Sequence, residues 1–206
     1  MSTDTPQVVI DEIGSETILV PIVGTAPLLV HRWSEKAKRK LLDETQGRKT
    51  PKQPKDPKAE YEAAFYHLKD GGYGFPAIAF KSATVNASRF YGKSVTKVGL
   101  RQCMFVNGEL GSDGQQMVPV VGEPVMREDV VRIGMSGTDM RYRPQFTEWS
   151  TTLRVTYVNS LLTRESVLSL IDAGGLGVGV GDWRPERGGD FGTYEIDRAR
   201  QIESVS

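Results

Sequence analysis

The stretch GGLGVGVGDWRPERGGDFGTYEI, residues 174–196, places eight glycines in the nineteen residues 174–192 and then returns to strand-like sequence. Glycine loses more conformational freedom on folding than any other residue, so this density needs a reason. A dinucleotide-binding fingerprint follows a strand and opens a helix with GxGxxG spacing. Here the glycines follow a helical pattern, lead to a strand and run GxGxGxG over 175–181. A Walker phosphate loop is excluded as well, because no GKS or GKT follows. Two readings remain open. One is a plain helix–strand connection, although about three times longer than the usual ~2–6 residues. The other is a close-approach loop, whose bare backbone at Gly175, Gly177 and Gly179 lies flat against a helix or a nucleic-acid backbone and offers N–H groups to phosphate oxygens. In that reading Arg184 and Arg187 add charge, and Trp183 adds a surface for base stacking or a hydrophobic anchor.

Working outward, TRESVLSLIDAGG (163–175) predicts a compact helix capped by Thr163, packed through Val167, Leu168, Leu170 and Ile171, and ended by Gly174. Strand-like runs precede it: CMFV (103–106), MVPVV (117–121), PVMREDVVRIGM (124–135) and TTLRVTYVNSLL (151–162). In the last, Leu153, Val155 and Tyr157 alternate with polar residues over one half-buried face. Near the N-terminus TILVPIV (17–23) predicts a strand that Pro21 confines to an edge or a bulge. FPAIAFKSATVNASRF (75–90) predicts a helix over roughly 80–91, stopped at Gly92.

Lys81, Arg89, Lys93, Lys97 and Arg101 are separated by multiples of four, and no acid occurs between Asp70 and Glu109. A cationic helix side without compensating acids is a candidate phosphate-binding face. Between the first strand and this helix, SEKAKRKLLDETQG (34–47) predicts a short solvated helix with Ser34 as its cap. RKTPKQPKDPK (48–58) predicts an extended cationic loop carrying Lys49, Lys52 and Lys55.

The chain of 206 residues is 38% hydrophobic and 25% charged, values of a globular protein with a sizeable core. The expected arrangement is one domain over 1–206, with its core at roughly 17–24, 78–92 and 124–197 and insertions at 25–75 and 103–123. No run approaches the length of a membrane span, and the start lacks an apolar signal core, so a cytoplasmic protein is expected. The lone Cys103 sits in an apolar run and reads as a buried thiol. The zero net charge hides an asymmetry: residues 32–101 carry sixteen Lys/Arg against seven Asp/Glu, and residues 102–206 carry ten against fifteen. Such a basic block is the usual footprint of a polyanionic partner.

Enzyme signatures are thin. No metal-ligand spacing and no GxSxG occurs, GSDG (111–114) reads as a turn, and Glu128–Asp129 and Asp182 read as isolated acids. No metal and no cofactor is therefore expected. His31, beside Arg32 after the first strand, is the one candidate general acid or base.

The first strand, the segment FPAIAFKSATVNASRF and the terminal GGLGVGVG…GGDFGTYEI together resemble the RAMP superfamily, the RNA-binding subunits of CRISPR effector complexes. Phe75–Pro76, Lys81 and Arg89 match in outline the family's helix-opening motif, with AIAF in place of its small GSS residues and Thr84 in place of its second glycine. Gly174–Gly181 and Phe191–Gly192 match its glycine-rich loop.

The resemblance implies an α+β, modified ferredoxin-like (RRM-like) antiparallel sheet with two packing helices and long finger-like insertions. It further implies a non-catalytic, largely sequence-independent binder of single-stranded RNA or DNA. Such a protein assembles side by side along the strand as a homo-oligomer or as a subunit of a larger ribonucleoprotein, in a CRISPR effector or in phage recombination or replication. Two other readings stand beside it. One is a phage structural or interaction protein, such as an assembly factor or an inhibitor of a host complex, whose glycine loop seats a neighbour. The other is a metal-independent endoribonuclease using His31.

Overall fold

The computed structural model describes residues 12–48, 54–93, 95–133 and 137–205. The chain opens with β1 (Ser15–Gly24) and β2 (Leu28–Leu29), followed by α1 (Glu35–Thr45) and α2 (Pro57–Ala63). Then come β3 (Tyr66–His67), β4 (Tyr73–Pro76), α3 (Ala77–Asn86) with a 3-10 turn over Ala87–Tyr91, and α4 (Lys97–Cys103). β5 (Met104–Asn107), β6 (Glu109–Leu110) and β7 (Gln116–Pro119) lead to the hairpin of β8 (Pro124–Ile133) and β9 (Gly137–Phe146). The chain closes with β10 (Ser150–Val158), α5 (Arg164–Gly177), a 3-10 turn at Pro185–Arg187, β11 (Tyr194–Ile196) and β12 (Glu203–Val205).

The central sheet has the order β11–β1–β10–β5, antiparallel throughout, with β12 added to β1 beside β11. Taking β1, α3, β5, β10, α5 and β11 in chain order gives βαββαβ with sheet order 4-1-3-2, the ferredoxin-like topology. Alternation in β1 turns Ile18, Val20 and Ile22 fully inward. They meet Leu153, Val155 and Tyr157 of β10, Met104 and Val106 of β5, Phe80 and Ala83 of α3, and Val167, Leu170 and Ile171 of α5. Each such side chain contributes about 1.5–3 kcal/mol of burial. Thr163 caps α5 by accepting from the Ser166 N–H at 3.2 Å, and Ser34 caps α1 by accepting from Ala37 at 3.1 Å.

Pro21 does not mark an edge. β1 is central, and β12 pairs only as far as Leu19 while β11 pairs from Ile22. Pro21 falls in the gap between them, where its carbonyl accepts from Asp197 at 2.9 Å, so the missing N–H removes no ladder bond.

The sheet assignment also differs from the expected core. Residues 104–107, expected within an insertion, form β5 of the central sheet, because Met104 and Val106 are 0% and 7% exposed and face inward. Residues 124–146, expected within the core, form the β8–β9 hairpin, which pairs with β2 in a separate three-stranded sheet. Val125, Met126 and Val130 of that hairpin remain exposed. The third sheet, β3–β4–β7–β6, carries the chain into α3. The helix predicted over 80–91 begins earlier, at Ala77, and tightens to 3-10 geometry from Ala87 before Gly92 (φ +66°) stops it. No helix among the described residues is long and apolar enough to cross a membrane.

Candidate nucleic-acid interface

The glycine-rich segment starts inside α5. Gly174 and Gly175 are its buried last turn, where a Cβ would stand 2.9 Å from the Ala83 carbonyl carbon and 2.0 Å from the Tyr194 oxygen. A Cβ on Gly177 would strike the Phe90 ring at 2.4 Å. These glycines let α5 sit tightly on α3 and β11. Farther on, many of the loop's N–H groups are occupied: Gly179 donates to Gly174, Val180 to Gly192, Asp182 to Leu29, Glu186 to Val178 and Arg187 to Arg184, all at 2.8–3.2 Å. The backbone lies flat against the protein itself, so the phosphate cradle expected at Gly175, Gly177 and Gly179 is not formed.

Between this loop and the first turns of α3 runs a groove of about 280 Å³, lined by Phe75, Ile78, Ala79 and Ser82 on one side and Val178–Asp182, Arg184 and Glu186 on the other. His31 and Tyr66 close one end. A second cleft of about 370 Å³, across Ile78, is lined by Lys81, Phe105, Asn107, Gln115 and Gln116. The first turn of α3 is thus a ridge between two depressions.

A chain of charges underlies the first groove. His31 Nδ1 and Asp182 Oδ2 are 3.1 Å apart, and Arg143 Nη1 donates to the same oxygen at 2.9 Å. Arg143 Nη2 donates to Asp129 Oδ2 at 2.6 Å, and Arg127 Nε holds Asp129 at 2.9 Å. Arg143 is 1% exposed, and its Nε has no partner. Burial pushes the Asp182 carboxyl up, but the bonds and charges of His31 and Arg143 outweigh that and hold it below its ordinary value. Asp129 and Asp182, which read as isolated acids in the sequence, are the two ends of one buried guanidinium. The sequence of β9 gives no local signal of this, because Arg143 shares its face with Asp139, Arg141 and Gln145, the polar side of the strand.

The expected cationic track is divided. Lys81 points away from the loop, donates to the Arg101 carbonyl at 2.9 Å and lies 4.3 Å from the Phe105 ring centre. Burial lowers its pKa. Arg89 does face the loop, but there it meets Glu186 at 3.4 Å. Glu186 also accepts from Arg184 at 2.9 Å and from Asn86 at 2.8 Å, so it neutralises both arginines' approach to the groove. Lys55 is ion-paired with Asp139 on β9. Lys49 and Lys52 lie outside the described residues.

What remains open to solvent is a part of the expected set. Lys93, Lys97 and Arg101 are exposed, with no carboxylate within ion-pair reach among the described residues. Lys97 and Arg101 lie one turn apart on α4, and the Arg101 carbonyl holds Lys81, which lines the second cleft with the 43%-exposed Phe105. On the loop, Arg187 is exposed, and Trp183 is 55% exposed at φ +55°, a left-handed conformation rare for an aromatic residue. The groups that sequence reasoning missed are Phe105, Asp182, Arg143 and Tyr66. Among the described residues no group of three or more His, Cys, Asp or Glu is placed to hold a metal ion.

No protein-family model matches the chain, and no curated protein matches it. Among solved structures, Cmr6 from Pyrococcus furiosus superposes with a TM-score of 0.46 at 9% identity, covering 90% of this chain and all of that one. A chain of the Type III-B Cmr-beta complex bound to cognate target RNA superposes with a TM-score of 0.41 at 11% identity. That match covers 93% of this chain, which spans 61% of the length of the other.

Proposed function

We propose that this protein is a non-catalytic binder of single-stranded nucleic acid, largely independent of sequence, working as an RNA-binding subunit of a multi-subunit, CRISPR-effector-like ribonucleoprotein. The observation that carries the reading is the exposed trio Lys93, Lys97 and Arg101, without ion-pair partners among the described residues, with Lys81 linking the Arg101 carbonyl to the Phe105 ring of the second cleft. Unpaired cations next to an exposed aromatic are the two components of single-strand recognition, one for the phosphates and one for the bases. The glycine-rich loop after α5, with Trp183 and Arg187 at its surface, adds the element on which the RAMP resemblance rests. Assembly of copies or sister subunits side by side along the strand completes the proposal.

Binding of labelled oligo(U), oligo(dT) and a duplex, measured across a salt series, tests it. The triple variant Lys93→Ala/Lys97→Ala/Arg101→Ala is expected to weaken single-strand binding and to flatten the log–log salt slope by about 2, since each single-strand phosphate contact contributes ~0.7. Unchanged affinity and slope remove α4 from the interface.

A second reading, an interaction protein whose loop seats a neighbouring subunit, draws on the neutralisation of Arg89 and Arg184 by Glu186. It predicts no retention of any oligonucleotide. The endoribonuclease reading draws on His31 held by Asp182, and metal-free cleavage of the RNA in the same reactions is its signature.

A further inference from the structure

Around the groove at the first turns of α3, the polar groups divide into used and unused. Glu186 is saturated: Asn86 and Arg89 donate to Oε1, and Arg184 donates twice to Oε2. Arg184 Nη1 is turned to the Gly181 carbonyl. Both bonds to Asp182 fall on Oδ2, which leaves Oδ1 without a partner in a side chain 35% exposed. His31 Nε2 and the hydroxyls of Tyr66 and Ser82 are also without protein partners among the described residues. These unused groups sit over an apolar lining from Phe75, Ile78, Val178 and Val180.

The charge balance argues against a phosphate here. Asp182 is held ionised, Glu186 is a second carboxylate, and the Arg184 guanidinium is already turned to Glu186 and the Gly181 carbonyl. The volume, about 280 Å³, lies at the lower edge of ligand pockets, which begin near ~300 Å³. It admits one flat ring system and no stretch of chain. An apolar slot with one unsatisfied carboxylate oxygen selects a neutral ring with a free-standing amino group over one whose N–H lies between two carbonyls, as in uracil, because those carbonyl oxygens are repelled by the carboxylate.

Resting on the single-strand reading above, we propose that this groove receives one unstacked nucleobase bearing an exocyclic amino group, with Asp182 Oδ1 as the acceptor. Phosphates then run over α4 on the far side of the Ile78 ridge, while one base per protein dips into the groove. The consequence is a local preference within an otherwise sequence-tolerant interface. Cytosine and uracil are the decisive pair, because they have the same ring size and differ in an amino group against a carbonyl.

The test measures binding of oligo(C) and oligo(U) of equal length, at neutral pH and fixed salt, to the full chain and to two variants. The wild type is expected to hold oligo(C) about tenfold more tightly, the ratio that one charge-assisted hydrogen bond supplies. Ser82→Trp, at an exposed position on the groove wall, is expected to bring that ratio to about one. Asp182→Asn, if folded by circular dichroism, should lose the preference as well. Equal affinity for both oligonucleotides in the wild type, or a preference that survives Ser82→Trp, overturns the inference and leaves the single-strand reading standing. Failure to bind either oligonucleotide overturns both.

Discussion

Gly192→Ala is expected to lower the melting temperature by about 6–12 °C, the effect of roughly 3 kcal/mol in a chain of this size. Gly192 holds φ +67°, which costs an alanine about 1–2 kcal/mol. Its Cβ would also stand 1.7 Å from the Val180 carbonyl oxygen, a backbone atom held close because the Val180 N–H donates to the Gly192 carbonyl at 2.9 Å. Relief requires the two backbones to part, which adds overpacking strain of about 1–3 kcal/mol. Gly188→Ala is the internal control. It has φ +78° in the same segment, but nothing lies within 4 Å of its Cβ, so only the dihedral cost of about 1 kcal/mol is expected. Thermal unfolding followed by far-UV circular dichroism reads both. Equal shifts for the two variants would show that dihedral freedom alone, and not close approach, accounts for these glycines.

The contrast between those glycines bears on what the sequence could disclose. Spacing alone says that backbone comes close to something; it does not say whether the neighbour is protein or ligand. Here the neighbours are Ala83, Leu29, Val180 and Tyr194, from four separate parts of the chain. β1, β10 and α5 were legible because alternation, periodicity and caps are local. Ser34 and Thr163 cap where their spacing predicted. The choice between 104–107 and 124–133 as the sheet's edge strand was not local, since both segments are rich in residues that suit strands. What separates them is which one meets β10, a matter of tertiary register.

The same limit governed the charges. Multiples of four predicted Lys81 and Arg89 near one cationic face while the helix lasts, but α3 ends at Asn86 and tightens to 3-10 geometry, so the face is lost before Arg89. Lys97 and Arg101 regain it on α4. The Arg184–Glu186 pair was readable as a two-residue spacing inside the loop, whereas the reach of Glu186 back to Arg89 was not.

Arg143→Met is the variant with the largest expected loss, about 3–5 kcal/mol at neutral pH, because it removes the shared partner of two carboxylates. The arginine is 1% exposed between Asp129 at 2.6 Å and Asp182 at 2.9 Å. Asp129 keeps Arg127 after the change, and Asp182 keeps only His31. Asp182 is about a third exposed, so solvent screens part of its share of that loss.

The pH dependence has a definite sign. In the wild type Asp182 titrates below its unfolded value, so its contribution is present above that value and fades as pH falls through the folded pKa. Without Arg143, two of the influences that lower the folded pKa are gone while desolvation remains, so the folded pKa rises toward the unfolded one. Asp182 then contributes less stability above the unfolded pKa than it does in the wild type. The gap between wild type and Arg143→Met should therefore narrow as pH falls from neutral toward the carboxylate range, as read by urea denaturation at a series of pH values. Adding Asp129→Asn and Asp182→Asn to Arg143→Met should recover most of the loss, since no buried charge is then left alone. A gap that stays constant with pH would place the cost of Arg143→Met in packing, and a triple variant no better than the single one would do the same.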